Sequence, residues 1–141
     1  MAVVVFDSDV LIGFLNADDA HHGDAIAWIE KAMTPGTRRM LSAVNYSEIL
    51  IGPIRAGSSE IVDGMLSRFG IETMAVDMDL ARRAAAVRAR TDLKLPDAYA
   101  LATCVHAEHR GYEDVQLATF DRAVLTAHAA LHPRPLCRTA P

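Results

Sequence analysis

Asp7, Glu48, Asp97 and Asp121 are acidic residues set among apolar neighbours, at positions that read as the ends of core elements. Carboxylates gathered at one point hold a hard divalent cation, and such an ion activates water for attack on a phosphodiester. Asp7 follows Ala2-Val3-Val4-Val5-Phe6, a β-branched run of the kind that forms a strand buried on both faces. Asp121 closes a second such run, Val115-Gln116-Leu117-Ala118-Thr119-Phe120. In open α/β sheets ligands bind beyond the carboxyl ends of the strands, which gives both acids a functional address. Taken singly, each has an ordinary explanation: Asp7 as a turn former, Asp97 as a complement to a helix dipole, Asp121 as a cap, Glu48 as an exposed helix residue. Glu48 resists that explanation most, because it lies within Ser42-Ala43-Val44-Asn45-Tyr46-Ser47-Glu48-Ile49-Leu50-Ile51, where an unpaired charge is costly.

The elements that must position these acids follow from hydrophobic period and stop signals. Strands are expected at Ala2 to Phe6, Arg39 to Ala43, Ile71 to Val76 and Val115 to Phe120, with a short piece at Pro135 to Cys137. Helices are expected at Val10 to Leu15, Ala20 to Met33, Val44 to Ala56, Glu60 to Phe69, Met78 to Thr91, Pro96 to His109 and Arg122 to Leu131. Strands alternating with helices give an α/β sandwich with a largely parallel sheet. Pro35-Gly36, Gly57-Ser58-Ser59, Gly70 and Gly111 punctuate the segments, and none is long enough to be a linker. Pro53 should kink or end its helix near Gly52, while Asp77 should cap the helix that starts at Met78. The Pro96 helix is apolar around almost its whole circumference, so Asp97 projects from a buried, rigid element.

The 141 residues, 51% of them apolar, fit one domain over residues 1–141 with a core that needs no staples. No apolar run approaches the roughly 20 residues of a membrane span, and no basic leader precedes the first apolar stretch. A soluble, cytoplasmic protein is expected. Cys104 and Cys137 are isolated, which argues against both a disulfide framework and structural zinc. The net charge of −4 argues against a generic nucleic-acid-coating module, although clustered carboxylates that bind metal are compatible with a polyanionic substrate. Most of the arginines, Arg38-Arg39, Arg82-Arg83, Arg90, Arg134 and Arg138 among them, read as solvated faces and loops. Arg88 falls inside the apolar arc of its helix, as a semi-buried guanidinium seeking a carboxylate or a partner surface.

Two carboxylates about 4 Å apart repel by roughly 4 kcal/mol at an effective dielectric of 20, so an empty cluster holds a proton or opens. A divalent cation removes that conflict, and an all-oxygen site selects Mg²⁺ or Mn²⁺. Ser8 and Thr119 adjoin the acids and are candidates to support them by hydrogen bonds. His21-His22 lacks zinc-ligand spacing, and His106 with His109 is a lone helical pair.

Four segments taken in order resemble the motifs of PIN-domain ribonucleases: Val5-Phe6-Asp7-Ser8-Asp9-Val10-Leu11-Ile12, Ser47-Glu48-Ile49-Leu50, Leu95-Pro96-Asp97-Ala98-Tyr99-Ala100-Leu101-Ala102-Thr103 and Leu117-Ala118-Thr119-Phe120-Asp121-Arg122. The likeness is greatest to VapC-type toxins of toxin–antitoxin pairs and covers nearly the whole chain. It implies a compact three-layer α/β/α sandwich, Mg²⁺- or Mn²⁺-dependent RNA cleavage, homodimerisation and inhibition by a small cognate antitoxin. The catalytic and metal-binding acids carry over to Asp7, Glu48, Asp97 and Asp121. Asp9 stands where the family often has a small polar residue, a supporting position beside the ligands. The resemblance also puts a histidine near the early helix, which makes His22 the candidate to approach the acids.

Two rivals remain. Val3-Val4-Val5-Phe6-Asp7-Ser8-Asp9 is also similar to the first motif of haloacid-dehalogenase-type phosphatases, in which the first Asp is phosphorylated and the second is the general acid/base. That chemistry needs a downstream lysine and a second acidic pair; Lys94 is a poor match, and Asp121-Arg122-Ala123 supplies a single acid. The other rival is a catalytically silent PIN-like binding scaffold, which retention of all four acids disfavours.

Overall fold

The computed structural model describes residues 2–131 and 137–139. Its strands are β1 (Ala2–Phe6), β2 (Thr37–Ser42), β3 (Ile71–Met74), β4 (Asp114–Ala118) and β5 (Cys137–Thr139). They form one sheet in the order β3-β2-β1-β4-β5, and every pairing is parallel. Parallel neighbours require crossovers. These are carried by α1 (Ser8–Leu15), α2 (His22–Ala32), α3 (Ala43–Arg55), α4 (Glu60–Phe69), α5 (Met78–Arg90), α6 (Leu95–His109) and α7 (Arg122–Leu131).

Side chains alternate across a strand, and here both faces are covered. Val3 and Val5 of β1 join Met40, Val115 and Leu117 in a core closed by Leu80, Val87, Leu101 and Val124 of α5, α6 and α7. Val4 and Phe6 turn the other way and join Leu41, Ile71, Leu11, Ile29, Ile49 and Leu66, from β2, β3 and helices α1 to α4. The outcome is a three-layer α/β/α sandwich. Complete burial of a Val, Leu or Phe side chain stabilises the fold by roughly 1.5–3 kcal/mol, which fixes β1, buried from Val3 to Phe6, as the rigid centre. Among the described residues no helix is long and apolar enough to cross a membrane.

Local chemistry moves several boundaries from their expected places. The helix expected from Val10 begins at Ser8, because the Asp7 carboxylate accepts the Ser8 amide and caps it. Ser42 likewise caps α3 through the Asn45 amide, ending β2 before Ala43. The Asp77 cap on α5 forms as expected, by an acceptor contact to Leu80 N of 2.8 Å. β3 stops at Met74 rather than Val76. β4 stops at Ala118 rather than Phe120: the Asp121 amide bonds the Thr119 hydroxyl and the Phe120 amide bonds the Asp9 carboxylate, so both leave the strand ladder. Of the terminal piece expected at Pro135 to Cys137, Pro135 and Leu136 lie outside the described residues; the strand there is Cys137–Thr139.

Three expectations are corrected. Pro53 does not stop α3, which runs on to Arg55; it sits in the last turn, where Ala56 N reaches Gly52 O and Ser58 N reaches Pro53 O. Arg88 is exposed, and its guanidinium donates to Thr91 O at 3.3 Å with its stem laid along α5. Arg39, expected in solvent, is half-buried and donates to the carbonyls of Phe69 (2.6 Å), Ala32 (3.0 Å) and Thr37 (2.9 Å). A cation at the carbonyl ends of α2 and α4 complements both helix dipoles and ties those helices to β2. Gly70, with φ +60°, closes α4, and a Cβ at that position would stand 3.2 Å from the Arg39 guanidinium.

Candidate active site

The strand order reverses at β1, with β2 and β3 on one side and β4 and β5 on the other. Crossovers therefore diverge there and leave a crevice beyond the carboxyl ends of β1 and β4. Asp7 stands at that point. Its amide donates to Ala118 O at 2.9 Å, extending the β1/β4 ladder by one bond, and its side chain is 2% exposed. One carboxylate oxygen accepts the Ser8 amide (2.8 Å) and the other the Thr119 hydroxyl (2.8 Å), itself buried.

Asp9, in the first turn of α1, faces the same loop. Its Oδ2 accepts the Phe120 amide at 2.9 Å and lies 3.3 Å from the Thr119 hydroxyl. Its Oδ1 is buried without a well-formed hydrogen bond. Asp121 caps α7 through the Ala123 amide (2.8 Å), and it also faces the acids, since its charge raises the carboxyls of both Asp9 and Asp97. Cap and site residue are thus one.

Asp97 lies in the first turn of α6 and Glu48 on α3; Asn45 joins the two helices. Fully buried, Asn45 donates from Nδ2 to Glu48 Oε1 (3.0 Å) and Pro96 O (3.1 Å), while its Oδ1 accepts the Ser42 hydroxyl at 2.7 Å. Glu48 is therefore half-buried and oriented. Sequence reading missed Asn45; the available signal was an amide side chain three residues after a Ser helix cap and three before the acid.

The electrostatics show that the carboxylates act on one another. Burial first, then Asp9 and to a lesser degree Asp97, push the Asp7 carboxyl up to about 8, against the downward pull of the Thr119 and Ser8 hydrogen bonds. Burial raises Asp9 as well, opposed by the Phe120 amide. Asp97 is raised by burial, then by Asp121, Glu48 and Asp9, with Lys94 pulling the other way. Asp7, Glu48, Asp97 and Asp121 are thus brought to one crevice, with Asp9 added. Thr119 lies among them through its hydroxyl, and Ser8 through its backbone amide. His22 instead bonds Gly13 O at 2.8 Å.

Among the described residues no three acidic, histidine or cysteine side chains stand in a ready-made metal cage. The donor set nonetheless fits a hard divalent cation. It consists of carboxylate oxygens alone, one of them, Asp9 Oδ1, buried without a well-formed hydrogen bond, around an Asp7 carboxyl that burial and then Asp9 raise to about 8.

A model of the PIN domain family matches residues 4–130, so the chain belongs to that family. Solved structures of the same fold include a toxin–antitoxin complex from Klebsiella pneumoniae, at 24% identity and TM-score 0.64 over 100% of this chain and 98% of that one. VapC20 of Mycobacterium tuberculosis, described as a Sarcin-Ricin loop cleaving toxin, matches at 20% identity and TM-score 0.68 over 89% of this chain and 95% of that one. VapBC-1 from nontypeable Haemophilus influenzae matches at 9% identity and TM-score 0.67 over 97% and 96% respectively. At such identities the likeness is one of fold. None of the curated proteins matches.

Proposed function

We propose that this PIN domain is a Mg²⁺- or Mn²⁺-dependent endoribonuclease, the toxin of a toxin–antitoxin pair, hydrolysing RNA phosphodiesters with an activated water. The observation that carries the reading is the convergence of five acidic side chains on a strand-order reversal, with burial, and then its acidic neighbours, raising the carboxyl of the most buried of them, Asp7, to about 8. Asp7, Asp97, Glu48 and Asp121 are the residues that would hold the ion. When bound, it supplies a water of lowered pKa and charge to offset the developing oxyanion. Family membership supports the reading, as do neighbours of the same fold that are toxins or toxin–antitoxin complexes.

The remaining work falls to the protein's own groups. Thr119 and the Ser8 amide hold both oxygens of Asp7 in fixed directions. Asn45 keeps Glu48 turned toward the start of α6, so that Glu48 and Asp97 face each other across the crevice. Lys94, exposed beside Asp97, offers a phosphate contact at the mouth. A small antitoxin covering these acids, and association of the chain into a homodimer, complete the reading. The phosphatase alternative requires Asp7 as an ionised nucleophile. It also requires a downstream lysine and a second acidic pair, for which Lys94 and Asp121-Arg122-Ala123 are poor matches, and the family match is to the PIN domain.

The test is cleavage of total cellular RNA with Mg²⁺, by the unaltered protein and by Asp97→Ala. The unaltered protein cuts; Asp97→Ala loses at least about 100-fold, as expected for a group acting in the transition state, and keeps its fold. Equal cutting by both refutes the assignment.

A further inference from the structure

Beside the acids stands a group of rings that the hydrolytic chemistry does not use. Phe120, whose amide binds Asp9 and whose chain neighbour is Asp121, is stacked with His21 at 4.4 Å between centroids and 15° between planes. Its ring also meets Trp28 of α2 at 4.7 Å and 37°. Trp28 and Phe120 are half-buried, whereas His21, in the turn before α2, is exposed. The backbone holds that turn firmly: His21 N donates to Asp19 Oδ1 at 2.8 Å and Ala25 N donates to His21 O at 2.8 Å.

A Trp–Phe contact alone suffices to clamp α2 onto the loop that carries Asp121. An exposed imidazole laid flat on the outer ring adds little to that clamp and much to the surface presented to a ligand. Planar rings at the edge of a phosphodiester-cleaving crevice suit one chemical group above others, the flat face of an unstacked nucleobase. An acidic crevice also discourages binding through phosphate charge alone, which leaves stacking as an available source of affinity.

We infer that His21, backed by Phe120 and Trp28, is a base-stacking platform that holds one unpaired nucleotide next to the scissile phosphate. This rests on the nuclease reading and adds to it a contact of this chain's own, to the base beside the cut. His21 is a positioning residue: it sets which phosphate enters the crevice, and the acids do the chemistry.

The experiment begins by mapping the sites cut in total cellular RNA with Mg²⁺. It continues with an oligoribonucleotide spanning the most-cut site, and with versions carrying an abasic nucleotide on either side of that site. For the unaltered protein, one of the two abasic positions lowers kcat/KM by about tenfold. His21→Ala loses a similar factor on the intact oligonucleotide, mainly through KM, and loses nothing further on that abasic version, because the two changes remove the same contact. His21→Phe retains the ring and stays near the unaltered value. The platform is refuted if the two losses multiply, or if His21→Phe is as impaired as His21→Ala, which would assign the effect to an imidazole nitrogen. Failure of the nuclease reading looks different: the unaltered protein and Asp97→Ala then leave RNA equally uncut.

Discussion

The Thr119 hydroxyl donates to Asp7 Oδ2 at 2.8 Å across a sequence separation of 112 residues, so the end of β1 and the loop after β4 are joined at the most buried acid. The Thr119 hydroxyl oxygen in turn accepts the Asp121 amide at 3.1 Å. One side chain thereby orients two of the proposed ligands.

Thr119→Val keeps the shape and removes both contacts. It should destabilise the protein by about 1–3 kcal/mol, since two buried polar partners lose their hydrogen bonds. The Thr119 bond holds the Asp7 carboxyl down, so its loss should raise that carboxyl further above 8 in metal-free protein. Carboxyl-carbon NMR titration reads the shift directly; an unchanged or lowered Asp7 titration would show that the contact does not act on the acid.

Asp7 also makes stability depend on pH in the direction opposite to the usual carboxylate. Its folded pKa of about 8 lies above the unfolded value of 3.8, so between those values the folded state binds the extra proton. Metal-free stability is therefore greatest at the acid end of that window and falls as pH rises toward 8, by up to about 1.4 kcal/mol per pH unit. Asp7→Asn should flatten the slope. Mn²⁺, which competes with the proton, should raise Tm more at pH 8 than at pH 6. Melting curves from pH 5 to 8 measure all three effects, and a metal-free Tm that climbs through this range contradicts the assignment.

Asn45 predicts a separable structural effect. Asn45→Ala leaves Glu48 and Pro96 O without a donor, costs about 1–3 kcal/mol and lowers RNA cleavage by freeing Glu48. Combined with Glu48→Gln, the loss of activity should be no greater than for Glu48→Gln alone, because Asn45 acts through that side chain. Multiplicative losses would show that Asn45 serves the site by another route.

How much of this was legible beforehand follows from what local pattern can carry. The β1 run, the apolar α6 and the acids at element ends are features of neighbouring residues, and hydrophobic period reports those. Asp9 Oδ2 on the Phe120 amide spans 111 residues, and no period encodes it. For the same reason the apolar run overstates the end of β4 by two residues: nothing nearby in sequence shows that the Phe120 amide leaves the ladder for Asp9. Arg88 misled because a position on the apolar arc fixes the direction of Cβ, whereas a long side chain can run along the helix to solvent. The ring stack was invisible as well, since His21 and Phe120 meet only once α2 and the β4 loop are packed.

The last prediction concerns silencing of the site by the proposed antitoxin. Asp7, Asp9, Asp97 and Asp121 are mutually repelling groups, and a guanidinium set among them offsets that repulsion as the cation would. The planar fork of arginine can bond two carboxylate oxygens at once, which lysine's ammonium cannot reproduce. An antitoxin segment should therefore present an arginine to these acids and exclude metal, and its Arg→Lys variant should inhibit less than conservation of charge suggests. Mn²⁺ titration of the purified complex and of the toxin alone is the measurement. If the complex binds Mn²⁺ as tightly as the free toxin and still leaves RNA uncut, inhibition acts by covering the substrate path rather than by filling the acidic site.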